Sequence, residues 1–332
     1  MDPLTHGVAS FALQRAFFPR VPWRGVLAIL IAGFVLDADW FTATLGPRDY
    51  LRWHGAATHS LLFIGALVLA AFLLSRLAKN GARNGLLAPA VAAAALLHLV
   101  LDLCQSDGVA PLWPFSSRRF ALDWLPTIDP WLLSILIAAI ALPELFRLVS
   151  DEIGARTKRP RGQNGAGLGL TIAALYIGLR ALLHANAVTA LEARTIAGET
   201  PHRAAAFPDA TSPFHWHGVV ETQSAVSVVL MRSMGGEVSY ASGVTTLHKP
   251  EPSPTLAAAQ SAPAAVDFLK FARFPKATVQ AESEGYSVEI QDVKDQAGEI
   301  KSRAIFADID LDKSSRVVSS ALQWQKDLGG SR

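Results

Sequence analysis

The sequence predicts a mainly α, polytopic membrane domain over residues 1–191, followed by a smaller α+β, β-rich soluble domain over 192–332. Two observations carry that division. Hydrophobic residues make up 51% of the 332-residue chain, and most of the excess lies before residue 192, in runs near the ~20 apolar residues that a helical bilayer crossing needs. Beyond it the chain turns rich in Ser, Thr, Pro, Gln and charge, with short alternating β-branched stretches suited to a half-buried sheet.

Residues 4–18 (LTHGVASFALQRAFF) carry a helical period, with Thr5 as the expected cap and Pro19 as the stop. Residues 24–36 (RGVLAILIAGFVL) form a second apolar run. Both are short for a crossing, since ~15 residues of helix reach only about 22 Å, and together they read as a short helical hairpin. Four longer spans follow at 59–78, 86–103, 131–149 and 166–190. Strands are expected at 218–231, 237–247, 277–292 with a turn at Glu284-Gly285, and 303–309. The Pro-, Ser- and Ala-rich stretch 248–263 reads as a loop, and 264–274 (AAVDFLKFARF) as an amphipathic helix.

Charge orients the spans. Arg15, Arg20, Arg24, Arg76, Lys79, Arg83, Arg147, Arg156, Lys158, Arg159 and Arg161 occupy one set of connections, whereas the opposite loops hold only Arg48, Arg52, Arg118 and Arg119. Positive residues favour the cytoplasmic side, so the C-terminal domain is expected outside the cytoplasm. The start MDPLTHGVAS is acidic and polar where a signal peptide would be basic. A net charge of +2 offers no electrostatic footprint for nucleic acid. With Cys104 the lone cysteine, an intrachain disulfide and a cysteine zinc finger are excluded. The expected partner is membrane lipid, with the C-terminal domain left for a protein partner.

The same topology brings the candidate site together. His6 begins the first helix, Asp37 and Asp39 end the second, His54 and His59 open the third apolar span, and His98 and Asp102 end the fourth. All seven reach one predicted face. His98 and Asp102 stand i, i+4 on one helix face. Asp37 and Asp39 flank Ala38, and paired carboxylates repel unless a proton or cation lies between them. Singly, each residue has an ordinary explanation as an interfacial anchor, a helix cap or a solvated helix end. As a set of four histidines and three aspartates they form a site for one to three divalent ions, Zn²⁺ first among them. Thr58 and Ser60 flank His59 and are expected to orient it, to bind substrate oxygens or to cap the helix. His215 and His217 alternate around Trp216 as a docking surface or a second metal site.

Four motifs in order carry a resemblance: Asp2-Pro3-Leu4-Thr5-His6-Gly7, Gly33 to Asp39, His54 to Ser60, and His98 to Asp102. Over about residues 1–150 the chain resembles the bacterial membrane-bound, metal-dependent hydrolases of the YdjM type, which show D-x-x-T-H-G, P-D-x-D, H-R-G-x-T-H-S and H-x-x-x-D. The resemblance implies an integral membrane protein with a His/Asp metal site, distantly similar to zinc-dependent phospholipase C and P1 nuclease. Two positions depart from the pattern. Leu36 replaces the proline before Asp37, and Gly55 stands where the family has arginine, so that Arg52 or Arg48 is left to supply a guanidinium.

The expected function is metal-dependent hydrolysis of a phosphoester in a lipid or lipid-linked substrate at the outer membrane face. In it Asp39, with Asp37, serves as general base, and Thr58, Ser60, Arg52 and Arg118 bind substrate. The alternative is a non-enzymatic membrane protein whose metal is structural or transported.

Overall fold

The computed structural model describes residues 1–77, 85–152, 163–196, 198–297 and 304–325. The basic residues Lys79, Arg83, Arg156, Lys158, Arg159 and Arg161 lie outside them. A helical N-terminal region is followed by a region of antiparallel sheet. The chain divides into two compact units, Met1–Phe41 with Trp53–Ala181, and Thr42–Arg52 with Leu182–Arg332.

In the first unit, α1 (Pro3–Phe17) is capped by Asp2 rather than by Thr5. The Asp2 carboxylate accepts from the Thr5 amide at 2.9 Å and from its hydroxyl, while Pro3 occupies the first turn, where a missing N–H costs nothing. The second apolar run is longer than its α-helical part suggests. Helix α2 (Trp23–Phe34) continues as a 3₁₀ segment, Val35–Leu45, so Trp23–Leu45 is one stretch of 23 residues, long and apolar enough to cross a membrane. Nothing between 35 and 45 is Gly or Pro; Gly46, at φ +122°, ends the stretch.

Helix α3 is Pro47–Trp53, and α4 (Leu61–Leu77) and α5 (Leu87–Leu103) are apolar but only 17 residues each. Next come α6 (Pro130–Glu152) and the 30-residue α7 (Gln163–Glu192), the second helix of membrane-crossing length and composition among the described residues. Helix α1 packs on α2, α5 and α6, and α5 packs also on α2 and α4. Small residues make this close packing: Ala90, Ala94 and Ala95 of α5 are fully buried, and a Cβ on Gly33 of α2 would collide with Ser10 of α1.

The second unit takes the last turns of α7, from Leu182 onward, so the expected boundary at 191/192 falls at the end of this helix. Leu183, Ala187 and Leu191 form a core with Trp216, Val229 and Met231 of the first sheet. That sheet is a meander of β1 (Arg203–Pro208), β2 (His215–Glu221), β3 (Ala225–Met234) and β4 (Glu237–His248). The run expected as one strand over 218–231 is thus two. It turns at Thr222–Ser224, where the Thr222 amide and hydroxyl bond the Ala225 carbonyl without the Gly or Pro that would signal a turn.

The expected loop at 248–263 contains helix α8 (Pro254–Gln260), capped by Ser253. Helix α9 is Pro263–Leu269, shorter than the expected 264–274. Both pack on the second meander, β5 (Pro275–Glu282), β6 (Gly285–Asp292), β7 (Ile305–Asp312) and β8 (Val317–Trp324), with the short α10 (Val293–Ala297) after β6. The β5–β6 turn residues are Ser283 and Glu284, because Gly285 already pairs with Glu282.

Candidate metal centre

Helix ends position the centre. The first turn of α1 sets His6, the 3₁₀ segment sets Asp37 and Asp39, the turn before α4 sets His59, and the last turns of α5 set His98 and Asp102. The tighter 3₁₀ winding brings Asp37 and Asp39 to the same site, where an α-helix would splay i and i+2 apart. His6, His59, His98, Asp39 and Asp102 are all buried, and Asp37 nearly so.

His98 Nδ1 lies 2.7 Å from the Gly33 carbonyl. A carbonyl only accepts, so this nitrogen carries the hydrogen and Nε2 of the neutral ring presents a lone pair. That lone pair faces Asp102 Oδ2 at 3.0 Å, Asp37 Oδ1 at 3.5 Å and His59 Nε2 at 3.3 Å. His59 is held in the same way. Its Nδ1 meets Asp39 Oδ2 at 3.0 Å, and its Nε2 lies 2.9 Å from Asp102 Oδ2 and 3.9 Å from Asp37 Oδ1.

Four acceptor-bearing atoms therefore converge. The five spacings that involve a histidine nitrogen, 2.9–3.9 Å, bracket the edge of about 3.3 Å that tetrahedral ligands have at Zn–N and Zn–O bonds of about 2.0–2.1 Å. Acceptors packed this closely need a proton or a cation among them. His6 stacks on His98 with ring centroids 3.6 Å apart, and its Nε2 lies 3.1 Å from Asp102 Oδ1. His6 Nδ1 and Asp37 Oδ2 are buried without a hydrogen-bond partner among the described residues. One ligand atom from each of His6, Asp37, His98 and Asp102 lies within 4.8 Å of the other three. This buried His/Asp group can hold a metal ion, and the donor chemistry fits one.

Asp39 and His54 stand one step back. Asp39 Oδ1 bonds His54 Nδ1 at 2.9 Å, while Oδ2 accepts from the Gly55 amide and the Thr58 hydroxyl, each at 2.8 Å. Asp39 is thus the hub that fixes both histidines of the 54–59 segment. Thr58 supports it. Ser60 instead caps α4, donating to the Ala57 carbonyl and accepting from the Phe63 amide. Arg118 is exposed over the Phe120 ring, and Arg52 lies on α3, in the second unit.

Three contributors carry little sequence signal. Gln105 donates to Asp102 Oδ1 at 2.6 Å; its i+3 spacing from Asp102 was the available clue. The Met1 ammonium pairs with the same oxygen. Arg119 donates to the His54 carbonyl at 2.6 Å and to the Gly108 carbonyl at 3.2 Å. A Cβ on Gly55, whose φ is +68°, would lie 3.1 Å from Arg119 Nη1. The Arg119 guanidinium, from a distant loop, thus lies beside position 55.

In the second unit, His217 bonds Asp209 at 3.0 Å. Burial alone would raise the Asp209 pKa, but hydrogen bonds from Thr211 and His217 hold it below the ordinary carboxylate range. The other oxygen of this carboxylate accepts from the Thr211 amide and hydroxyl and from the Ser212 amide, which ties the chain between 209 and 212 to the His217 side chain.

No curated protein and no solved structure matches the chain. A family model does match, that of the YdjM inner membrane protein, over residues 1–187. That stretch exceeds half of the chain and contains the whole His/Asp cluster. The chain belongs to the YdjM inner membrane protein family.

Proposed function

We propose that the helical unit is a metal-dependent hydrolase with Zn²⁺ as its resident ion, in one to three copies, acting on a phosphoester of a lipid or lipid-linked substrate. The observation that carries the proposal is the convergence of His59 Nε2 and His98 Nε2 on each other and on Asp37 Oδ1 and Asp102 Oδ2, at 2.9–3.9 Å. His59, His98, Asp37 and Asp102 would hold the first ion, with His6 beside them. When bound, such an ion supplies Lewis acidity and water activation at neutral pH.

The chain's own residues do the rest. The Gly33 carbonyl and the Asp39 carboxylate orient the rings of His98 and His59, as outer-shell partners do at metal sites. Asp37 Oδ2, buried and without a hydrogen-bond partner among the described residues, is assigned as the general base. Asp39, whose two oxygens already meet four donors, is assigned orientation. Exposed Trp40, Phe41, Phe115 and Trp131 suit headgroup depth and support a lipidic substrate, with Arg118 on the same unit for its anionic group. We place the unit as a multi-pass protein with its C-terminal domain outside the cytoplasm.

The burial of the cluster, with His6 and His98 each 1% exposed, favours a second reading in which the metal is structural or transported. Metal analysis of the purified protein and of His59→Ala, followed by a phosphoester and phospholipid panel, separates the two. Stoichiometric zinc with turnover, both lost in His59→Ala, is expected. Stoichiometric zinc without turnover on any substrate, with cell function retained in the variant, overturns the hydrolase. A C-terminal reporter active only in the cytoplasm overturns the topology.

A further inference from the structure

The chain leaves the helical unit after Phe41 and re-enters it at Trp53, and Thr42–Arg52 between them belongs to the C-terminal unit. The residues just outside this excursion are the hub of the metal centre. Asp39 and His54 are hydrogen-bonded at 2.9 Å across 15 positions of sequence, and the next amide, Gly55, bonds the same carboxylate. Any chain that closes a loop of this length loses conformational freedom, and it loses less when the intervening residues are already ordered.

Here they are ordered by side chains that the metal centre does not use. Arg48 reaches Asp267 Oδ2 with Nε at 2.9 Å and Nη2 at 2.6 Å. Tyr50 meets Trp324 edge-on at 5.3 Å. Tyr50 and Leu51 both pack against the core formed by α8, α9 and the second sheet. The Arg48 side chain is 72% exposed, and an exposed ion pair contributes little alone, so the Tyr50 and Leu51 packing carries most of the anchoring. Lys270 shares the Asp267 carboxylate at 3.1 Å, which keeps that acid fixed in place.

We infer that Arg48 and Tyr50 are positioning residues for the metal centre, anchoring the 42–52 excursion on the C-terminal unit so that Asp39 and His54 stay in register. This gives the C-terminal unit a job in the same protein: through the 42–52 excursion it holds in register residues of a site whose candidate ligands, among the described residues, all belong to the helical unit. The inference rests on the hydrogen-bonded hub and holds whether or not the centre hydrolyses anything.

The test uses the full chain in detergent micelles, first without metal. In Arg48→Ala/Tyr50→Ala, amide hydrogen exchange over residues 53–60 is expected to quicken about tenfold, while exchange in α5 and in β6–β7 stays at the wild-type rate. Zn²⁺ affinity, measured next by chelator competition, is expected to fall with it. Should β6–β7 also quicken, the variant has loosened the C-terminal unit itself. The charge reversal Arg48→Asp, and its rescue by Asp267→Arg, then decide: slower exchange over 53–60 in the pair than in the single variant supports the inference. Faster exchange over 47–52 with none over 53–60, in both the double-alanine and the Arg48→Asp proteins, overturns it. A wild-type protein that binds no zinc defeats the proposed hydrolase but leaves the exchange measurement, and this inference, to be decided on its own.

Discussion

Asp39→Asn isolates orientation from ligation. The wild-type carboxylate receives His54 Nδ1 on one oxygen and the Gly55 amide, the Thr58 hydroxyl and His59 Nδ1 on the other. Asparagine keeps the shape but has one acceptor oxygen and an NH₂ group that only donates. If the oxygen is turned towards Gly55, Thr58 and His59, the NH₂ faces His54. If it is turned the other way, three donors face a donor. The first arrangement is cheaper, and it still replaces a charge-assisted acceptor for His59 with a neutral one, a difference of about 1–2 kcal/mol. That agrees with the roughly 10–100-fold loss of metal affinity usual when an outer-shell carboxylate is removed.

The assay is competition between the purified protein and a chelator of known zinc affinity, with the visible spectrum of the Co²⁺ form reporting ligand geometry. Asp39→Asn is expected to bind Zn²⁺ about 10–100-fold more weakly, with a thermal melt close to that of the wild type once zinc is removed. Zinc affinity within twofold of wild type, in a folded variant, would refute the orienting role. If turnover were lost at that unchanged affinity, Asp39 would be the base instead.

Three further outcomes follow from the geometry. Chelating zinc from the protein should lower the melting temperature of the helical unit, since a ligand at 100 times its dissociation constant stabilises by about 2.7 kcal/mol; an unchanged melt in differential scanning calorimetry would count against a bound ion. Trp216 is fully buried against Leu191, Val229 and Met231, so Trp216→Ala should destabilise the C-terminal unit by about 3–5 kcal/mol in urea titration. Glu289 and Asp308 face each other across β6 and β7. Burial, then Asp310 and Glu282, raise the Asp308 pKa, and burial, then Asp308, raise that of Glu289. A carboxylate whose folded pKa is raised costs stability above that pKa and ceases to cost it as pH falls through it. Asp308→Asn should therefore stabilise by a few tenths of a kcal/mol at pH 7 and by nothing once both acids are protonated, as melts at the two pH values would show.

The elements most legible in the sequence are those whose signal is local. The apolar runs that became α4, α5, α6 and α7 lie within a few residues of their expected limits, because a long apolar period needs no tertiary contact to be read. The strands fared less evenly. β1 is short, with three alanines and one large apolar side chain, and β8 alternates mostly exposed residues, so neither shows the β-branched density that marks a strand. The turn that splits β2 from β3 is built by the Thr222 side chain rather than by Gly. Asp2 outcompeted Thr5 as the α1 cap because Pro3 fixes where the helix can begin.

For the metal centre, residue types were legible and their ranks were not. Seven His and Asp residues on one expected face do not say which of them would touch an ion. The distinction is made by backbone: the Gly33 carbonyl fixes the tautomer of His98, and the 3₁₀ winding turns Asp37 inward while Asp39 takes up the Gly55 amide. Neither carbonyl direction nor winding is written in the motif. The backbone at position 55 suits glycine. At φ +68° this residue aims its amide at Asp39 and leaves space that the Arg119 guanidinium approaches. An arginine at position 55 would have to adopt a left-handed backbone, which costs about 1 kcal/mol for a residue other than glycine, and its Cβ would lie 3.0 Å from the Gly108 carbonyl. A positive charge is nevertheless present at this corner of the site. It enters from the 108–120 loop, and the residue to mutate in search of it is Arg119.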